Sequence, residues 1–200
     1  MTKGRRKAGA LLLALGLASA TPGATAAPQL YRLDPEHSFV HFEVQHFGTS
    51  LLRGRFGPLN GDVTLDAGAR RGHVSLRIDM RTLDTGLKLL DGRLARDDLL
   101  AIAAHPEAFF VAERFVFDAQ GHPVALTGEF TLRGIGSALT LRALRFACVR
   151  TAANAARRCG GDFEGELLRS TFGASFGVPL IADRVRLRVQ VEGFEDLTTR

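Results

Sequence analysis

The sequence has no tryptophan, one tyrosine, two methionines and two cysteines among its 200 residues. It also has little excess charge after its N-terminus. Four of the 26 basic residues lie in the first seven positions, which leaves 22 basic against 21 acidic residues from residue 27 onward. Nucleic-acid binding needs clustered Lys and Arg to neutralise phosphates. This nearly neutral chain therefore argues against nucleic acid as a partner.

Motifs that mark common catalytic and phosphate-binding sites are also missing. The chain contains no Gly-x-Ser-x-Gly, no His-Glu-x-x-His and no Gly-x-x-x-x-Gly-Lys-Ser/Thr. The acids that interrupt apolar segments stand singly, at Asp34, Glu36, Asp84, Asp91 and Glu113. Isolated acids of this kind favour turns, caps and salt bridges. We therefore predict no enzyme, no catalytic residue and no metal site.

The N-terminus predicts an export signal. A basic stretch in residues 1–7 precedes an apolar run of about 11 residues, and Ala24-Thr25-Ala26 offers the small residues that signal peptidase reads. The run is shorter than the roughly 20 residues of a membrane-spanning helix. We predict a signal peptide over residues 1–26, with cleavage after Ala20 as the alternative, and one domain over residues 27–200. The mature protein is expected to be soluble, periplasmic and in an oxidising compartment.

Both cysteines lie in the predicted mature chain. Cys148 and Cys159 flank a polar loop, residues 149–158, between two segments that resemble strands. An exported protein favours a disulfide across such a loop. A redox pair or a metal site is the alternative, but a Cys-x-x-Cys motif or a nearby His is lacking.

Most of the chain alternates apolar and polar residues with a period of two, which is typical of strands. The alternation is clearest over residues 40–45, 74–80, 124–131 and 184–192. Weaker strand signals cover residues 53–66, 108–118, 137–149 and 161–170. Turn signals such as Asn60-Gly61 and Gln120-Gly121 separate the segments.

One segment, Leu87 to Ala103, has helical spacing instead, and His105-Pro106 prevents a helix from continuing far beyond it. We predict one or two short helices there, with a break near Asp97. About eight strands with one helical insertion predict an all-β fold, a closed eight-stranded antiparallel barrel. A two-sheet sandwich is the second candidate.

The pattern alone does not decide what the barrel encloses. Fourteen Phe residues and several glycines within strands suit an apolar cavity, and they suit a packed core equally well. His46 has the same parity as Val40, Phe42 and Val44, which predicts that it points inward. It would there bind the polar head of a ligand or satisfy a buried backbone group.

Several blocks of the sequence together resemble one family. These blocks are Tyr31 to His46, Gly54-Arg55-Phe56, Asn60 to Val63, Asp84-Thr85-Gly86, Pro106 to Phe109, Gly128 to Gly134 and Arg169 to Gly173. In order and spacing they resemble the YceI-like family of exported lipid-binding proteins, over about residues 30–195. The insert departs from the family at Asp98-Leu99-Leu100, where an aromatic pair is usual, at a place that would line or cover a pore.

The resemblance implies a lipocalin-like barrel in the periplasm that holds a polyisoprenoid chain of the quinone or polyprenol type, with no other cofactor. It leaves open a homodimer and an inner-membrane protein partner. Strand parity and position within the matching blocks give the predicted ligand-binding residues: Val40, Phe42, Val44, His46, Phe56, Phe109, Phe130 and Phe172.

A different class of function remains open at this point. A solid-cored periplasmic adaptor or stress protein would act through its surface. The Arg-rich outer face of the last strand, Arg184, Arg186 and Arg188, would then contact an acidic partner or anionic lipid head groups. A solvated strand face is the common structural explanation for such a row.

Overall fold

The computed structural model describes residues 27–150, 152 and 155–199, so the predicted signal peptide and its cleavage site lie outside the described residues. In this part of the chain ten strands form one antiparallel sheet. The strands are β1 Gln29–Leu33, β2 Phe39–His46, β3 Ser50–Phe56, β4 Asn60–Asp66, β5 Arg71–Asp79, β6 Glu107–Phe117, β7 Pro123–Leu132, β8 Ile135–Val149, β9 Arg158–Leu168 and β10 Ile181–Glu195. One α-helix, α1 Lys88–Leu94, lies between β5 and β6. Short 3-10 helices cover Pro35–His37, Met80–Thr82, Arg169–Phe172 and Leu197–Thr199.

Eight of these strands close into a barrel. The order β1-β4-β5-β6-β7-β8-β9-β10 is continuous, and β10 pairs again with β1, where Tyr31 lies opposite Glu195. Closure gives every strand of the ring a partner on both sides. The predicted all-β, eight-stranded antiparallel barrel is confirmed, and the sandwich alternative is wrong.

The β2–β3 hairpin extends the sheet beyond the ring. The first part of β10 pairs with β2, up to Gln190 opposite Phe39, and its last residues pair with β1 from Gly193 onward. Between these regions, the Ser38 hydroxyl accepts a hydrogen bond from the Glu192 N–H and donates to the Glu192 carbonyl, both at 3.2 Å. The hydroxyl thus replaces ladder bonds where β10 changes partners.

Two strand predictions need correction. The segment 53–66 is two strands, because Pro58 has no N–H to donate to the ladder and the chain reverses between Phe56 and Asn60. The dipeptide Asn60-Gly61 therefore begins β4 and does not form a turn. The strand signal also missed β1.

The insertion is helical only at its beginning. Helix α1 ends at Leu94, and the chain continues in turns, with Leu100 N–H bonded to the Leu94 carbonyl at 3.0 Å. Asp91 ties the helix to the preceding loop, since its carboxylate accepts hydrogen bonds from the Thr85 N–H at 2.8 Å and hydroxyl at 2.7 Å. These bonds lower the pKa of Asp91.

The predicted disulfide is present. Cys148 on β8 and Cys159 on β9 lie directly opposite each other in the ladder and are bonded. The bond fixes the end of the β8–β9 pair at the barrel end that also contains Tyr31. Of the helices in the described residues, none has the length and apolar character that crossing a membrane requires.

Candidate functional site

An apolar cavity of about 260 Å³ lies inside one end of the barrel. Its wall combines the β2–β3 hairpin, the facing parts of β5, β7, β9 and β10, the insertion and the loop that precedes β10. The lining residues are Val40, Phe42, Val44, His46, Leu52, Phe56, Ile78, Met80, Leu90, Arg93, Leu94, Leu99, Leu100, Phe130, Leu132, Leu167, Arg169, Ala174, Phe176, Ile181, Val185 and Leu187. All but three are apolar, so the cavity suits a hydrocarbon chain.

The hairpin positions its side chains by strand alternation. Val40, Phe42, Val44 and His46 follow every second residue of β2 and all lie in the cavity wall. Opposite Phe42 stands Gly54 on β3, and a Cβ there would overlap the end of the Phe42 ring. The glycine therefore makes the space in which that ring lies across the hairpin.

The insertion covers one side of the cavity. Leu90 and Leu94, four residues apart on α1, line the wall together with Leu99 and Leu100 from the following turns. On the same helix, the Arg93 guanidinium binds Asp98 through two hydrogen bonds of 2.7 and 2.8 Å. This ion pair joins the helix to the turn that follows it.

Arg169 holds the loop between β9 and β10. Its guanidinium is almost completely buried and donates to the backbone carbonyls of Ala174, Phe176, Ile181 and Ala182. Burial lowers the pKa of Arg169, and the Asp183 carboxylate opposes that effect. The loop is thus fixed by one side chain at the point where Ala174 and Phe176 complete the cavity wall.

Six of the eight residues predicted to bind ligand lie in this wall: Val40, Phe42, Val44, His46, Phe56 and Phe130. Phe172 does not line it. Phe172 packs behind the wall, with its ring edge-on to Phe130 at 5.7 Å between ring centroids, and is 2% exposed.

Phe109 lies on the outer face of the barrel, so its predicted place in the pore needs correction. Its side chain is 39% exposed, whereas that of the adjacent Phe110 is buried inside. The two residues alternate across β6, where Ala108, Phe110 and Ala112 form the inner face. Because Phe109 and Phe110 are both apolar, they do not show which alternate residues of β6 face inward. The flanking Ala108 and Ala112 do show this, since they share their face of the strand with Phe110.

Sequence reasoning missed the polar part of the wall and its loop. Arg93 and Arg169 line the cavity although arginine is usually exposed, and Phe176 comes from a loop without strand alternation. Val185 and Leu187 could have been predicted as wall residues, because they belong to the apolar face that alternates clearly along the last strand. The same parity rule that identified β2 applies to them.

A smaller cavity of about 70 Å³ lies farther along the barrel, toward the disulfide. It has no lining residue in common with the larger cavity: Leu76, Leu126 and Val189 surround it, where Ile78, Phe130 and Leu187 on the same strands line the other. The two spaces therefore have separate walls. The interior is partly open and partly packed.

The arginines of the outer face of β10 lie beside acids of β9, three arginines against two glutamates. Arg184 and Arg186 pair with Glu166 on β9, and Arg188 approaches Glu164 within 3.9 Å. These pairs follow the β9–β10 register and make the surface a mixed-charge ladder. A row that attracts an acidic partner would need cations without such neighbours.

A second group of titratable residues lies on the outside, where β1 leads into β2. The Asp34 carboxylate and the His37 imidazole are 2.9 Å apart, and Glu192 lies beside them with Arg158 at 3.2 Å. The hydrogen bond with His37 is the main cause that lowers the pKa of Asp34. A hydrogen bond joins Asp34 to His37, and an ion pair joins Glu192 to Arg158. The cluster lies outside the larger cavity, although Glu192 also lines the smaller one.

A closed antiparallel barrel around an apolar cavity defines the class of ligand-binding barrels. Within this class the chain belongs to the YceI-like domain family, which matches residues 31–193. A relative named Protein YceI, from Salmonella arizonae, is 29% identical over 189 residues, which span 92% of this chain and 97% of the relative. A UPF0312 protein of Pseudomonas paraeruginosa is 30% identical over 184 residues, 90% of this chain and 94% of that protein.

Solved structures share the fold. BcnA of Burkholderia cenocepacia superposes with a TM-score of 0.65 at 21% identity, over 80% of this chain and 98% of that one. A polyisoprenoid binding domain from Saccharophagus degradans, implicated in plant cell wall breakdown, gives a TM-score of 0.57 at 18% identity, over 83% and 98% of the two chains. At these identities the likeness concerns the barrel itself.

Proposed function

We propose that this protein binds a long apolar lipid chain, of the polyisoprenoid class, inside the larger cavity, and that it sequesters or carries that lipid outside the cytoplasm. The cavity wall is the main support, since 19 of its 22 lining residues are apolar. The family and the polyisoprenoid binding domain of the same fold support binding of this ligand class and favour it over catalysis. The disulfide supports an oxidising compartment.

Burial alone gives enough free energy for such binding. Transfer of one CH2 group from water is worth about 0.8 kcal/mol, so a five-carbon isoprene unit contributes a few kcal/mol. The cavity volume is about 260 Å³. One molecule in liquid water occupies about 30 Å³, so the cavity has roughly nine times that volume. Affinity should therefore rise with chain length until the cavity is filled, and then level off.

The test compares binding of geraniol, farnesol and geranylgeraniol by the purified protein and two variants. Val185→Trp places a large ring in the cavity wall, and Val116→Trp places the same ring on the outer face, where Val116 is 58% exposed. We expect affinity to rise along the series for the wild type and the outer variant. The Val185 variant should lose at least tenfold in affinity for the longest alcohol.

Circular dichroism and thermal unfolding establish that both variants are folded, because extra volume in a core costs about 1–3 kcal/mol. If a folded Val185→Trp protein binds geranylgeraniol as well as the wild type does, the ligand does not occupy this cavity. If neither the alcohols nor isoprenoid quinones bind to the wild type, the proposed lipid class is wrong.

A further inference from the structure

Exposed apolar side chains lie at the end of the barrel that contains the larger cavity. They belong to the turn between β2 and β3, to the beginning of α1 and to the loop that precedes β10. Leu89 is 82% exposed and Leu180 is 62% exposed, and Phe47, Phe176 and Val178 are each at least 40% exposed. We call these five residues the apolar rim. Contiguous exposed apolar surface marks a place where a protein, a ligand or a membrane binds.

Contacts join the three segments of the apolar rim. The Phe47 N–H donates to the Leu180 carbonyl at 2.8 Å, so the turn lies against the loop. The Arg93 guanidinium lies over the Phe176 ring, with its carbon 4.2 Å from the ring centroid, so α1 also contacts the loop. Leu89 precedes Arg93 by four residues on α1 and therefore shares its side of the helix. The apolar rim is thus one region of the surface.

The apolar rim adjoins the larger cavity. Phe176 is half-exposed and also lines the cavity wall. The Phe47 ring lies edge-on to that of His46, a wall residue, at 4.5 Å between ring centroids. Ile181, which follows Leu180 in the chain, belongs to the wall as well. The same segments therefore form both the cavity wall and the exposed apolar surface.

Phe47 occupies a position that neither burial nor backbone preference explains. The Thr49 N–H bonds to the His46 carbonyl at 3.1 Å and closes a turn, in which Phe47 and Gly48 have φ angles of 51° and 68°. Two central residues with positive φ are the pattern of a type I′ turn, which favours Asn followed by Gly. A bulky residue rarely adopts this conformation, and the Phe47 side chain is still more than half exposed. The ring therefore indicates a contact outside the chain.

The three segments also have little charge. Residues 46–52, 85–90 and 174–182 comprise 22 residues, of which Lys88 alone is Asp, Glu, Lys or Arg, whereas 24% of the whole chain is charged. A protein interface commonly surrounds its apolar core with polar residues. The interface of a bilayer accepts apolar and aromatic side chains, and charged side chains become costly with depth. The composition therefore favours a bilayer over a protein as the partner of this surface.

We propose that the apolar rim inserts into the surface of a lipid bilayer and places the cavity end of the barrel against the membrane. Each apolar side chain that leaves water on insertion stabilises the bound state. Docking in this orientation lets a lipid chain pass between bilayer and cavity without crossing water. The inference goes beyond the proposed function, because the apolar rim can bind a bilayer whether or not the cavity contains a ligand.

Single tryptophans test the orientation. The chain has no tryptophan, so an introduced Trp reports only on its own surroundings. Phe47→Trp and Leu180→Trp place the reporter on the apolar rim. Val116→Trp is the control, because Val116 is exposed on β6 and the neighbouring Phe115 lines the smaller cavity. With phosphatidylcholine vesicles, emission from the two rim reporters should shift to shorter wavelength, and brominated phosphatidylcholine should quench it.

The Val116 reporter should respond to neither kind of vesicle. Equal responses at all three positions would overturn the proposed orientation. So would a response of the Val116 reporter alone.

The substitution Phe47→Asn separates docking from folding. Asn suits this turn better than Phe does, so the urea midpoint of the variant should rise. Loss of the ring should nevertheless weaken sedimentation with phosphatidylcholine vesicles, with a partition coefficient at least about fivefold lower. Val116→Asn removes an exposed apolar side chain outside the apolar rim and should sediment as the wild type does. A Phe47→Asn protein with an unchanged partition coefficient would contradict the proposal.

Farnesol added from solution distinguishes this inference from the proposed function. Phe47 does not line the larger cavity, so the Phe47→Asn protein should bind farnesol as tightly as the wild type does. A wild type that binds vesicles but no isoprenoid would support docking and contradict the proposed function. A wild type that binds farnesol but not protein-free vesicles would overturn docking. If it then sediments with vesicles that contain membrane proteins, the apolar rim binds a protein instead.

Discussion

Ser38 has no exposed surface. Its hydroxyl bonds to the backbone of Glu192 at the point where β10 stops pairing with β2 and begins to pair with β1. Replacing Ser38 with Ala leaves the buried Glu192 N–H without an acceptor, which costs about 1–3 kcal/mol. Urea unfolding of the Ser38→Ala protein should show this loss of stability. The exposed Ser175→Ala serves as control and should stay within about 0.5 kcal/mol of the wild type. Equal stability of the two variants would show that the hydroxyl does not support the partner exchange.

Gly54 controls the position of one cavity side chain. In a Gly54→Ala protein, the new methyl group overlaps the end of the Phe42 ring, and the ring has to move. The adjacent open space is the cavity, so the ring should enter it and lower the affinity for geranylgeraniol several-fold. Gly92→Ala, where a Cβ meets nothing within 4 Å, is the matched control and should bind normally. Unchanged binding by a folded Gly54→Ala protein would contradict this role.

At the residue scale, strand parity and the matching blocks predicted five of the 19 apolar wall residues and one of the three polar ones, His46, but neither Arg93 nor Arg169. Parity identified Val40 to His46 because β2 alternates without a bulge. It failed at Phe109, where two adjacent Phe residues fit either phase. Arg169 belongs to a block that the family resemblance quotes, yet its burial depends on four carbonyls of a loop that local sequence does not position.

At the scale of elements, the disulfide joins β8 and β9 across a short loop. The double substitution Cys148→Ser with Cys159→Ser should lower the free energy of unfolding by about 3 kcal/mol, because the unfolded chain regains the entropy of the open loop. Lipid affinity should not change, since Cys159 lies by the smaller cavity at the other end. Chemical denaturation and the alcohol titration measure the two quantities separately.

A reducing agent provides the control for that variant. It should shift the unfolding midpoint of the wild type toward that of the double variant and leave the variant itself unchanged. A loss of lipid binding after reduction would show that the disulfide end and the larger cavity are coupled. Such coupling would contradict the separate walls of the two cavities.

Element types were more predictable than element boundaries. Alternation identified the long strands, because one face of each contacts the barrel interior and the other faces water. It merged β3 with β4, since the Gly57-Pro58 turn between them is only a few residues long, and it did not recognise the five-residue β1. The insertion was predicted over Leu87 to Ala103 as one or two short helices with a break near Asp97. Helix α1 ends at Leu94, before that break, and Leu99 and Leu100 reach the cavity wall from the turns that follow.

At the scale of the whole molecule, many carboxyl groups have a pKa below the ordinary value. They are Asp34, Glu43, Asp79, Asp91, Asp98, Glu166, Asp183 and Asp196. For Asp196, hydrogen bonds from Thr198 and Arg32 lower the pKa from 3.8 to about 2. In acid the unfolded chain therefore binds more protons than the native protein does. The free energy of unfolding therefore decreases as the pH decreases.

The prediction is a decline of the urea midpoint as the pH falls from 3.8 to about 2, the window that the Asp196 pKa defines. An Asp196→Asn protein lacks this titration, so its midpoint should decline less steeply than that of the wild type. Gln120→Asn exchanges one exposed amide, which does not titrate, for another and should leave the slope unchanged. A wild-type slope retained by Asp196→Asn would contradict the assignment.

Closure of the barrel was predictable from strand number and alternation, but the cavity was not. Periodicity tells which side chains face inward and not how much space they leave. The cavity exists because Gly54 makes room for Phe42 and because the insertion and the Arg169 loop cover the barrel end without filling it. The cavity thus depends on residues far apart in sequence, such as Gly54, Leu94 and Phe176, and local sequence patterns do not predict how these come together.

Native mass spectrometry of the protein, purified without detergent from cells that export it, shows whether the barrel holds an isoprenoid lipid. We expect one apolar adduct per barrel, which organic extraction identifies as an isoprenoid lipid and which the Val185→Trp substitution removes. A mass without ligand that stays unchanged after incubation with polyprenols, polyprenyl phosphates and quinones would contradict the proposed function and identify the interior as a core that only packs.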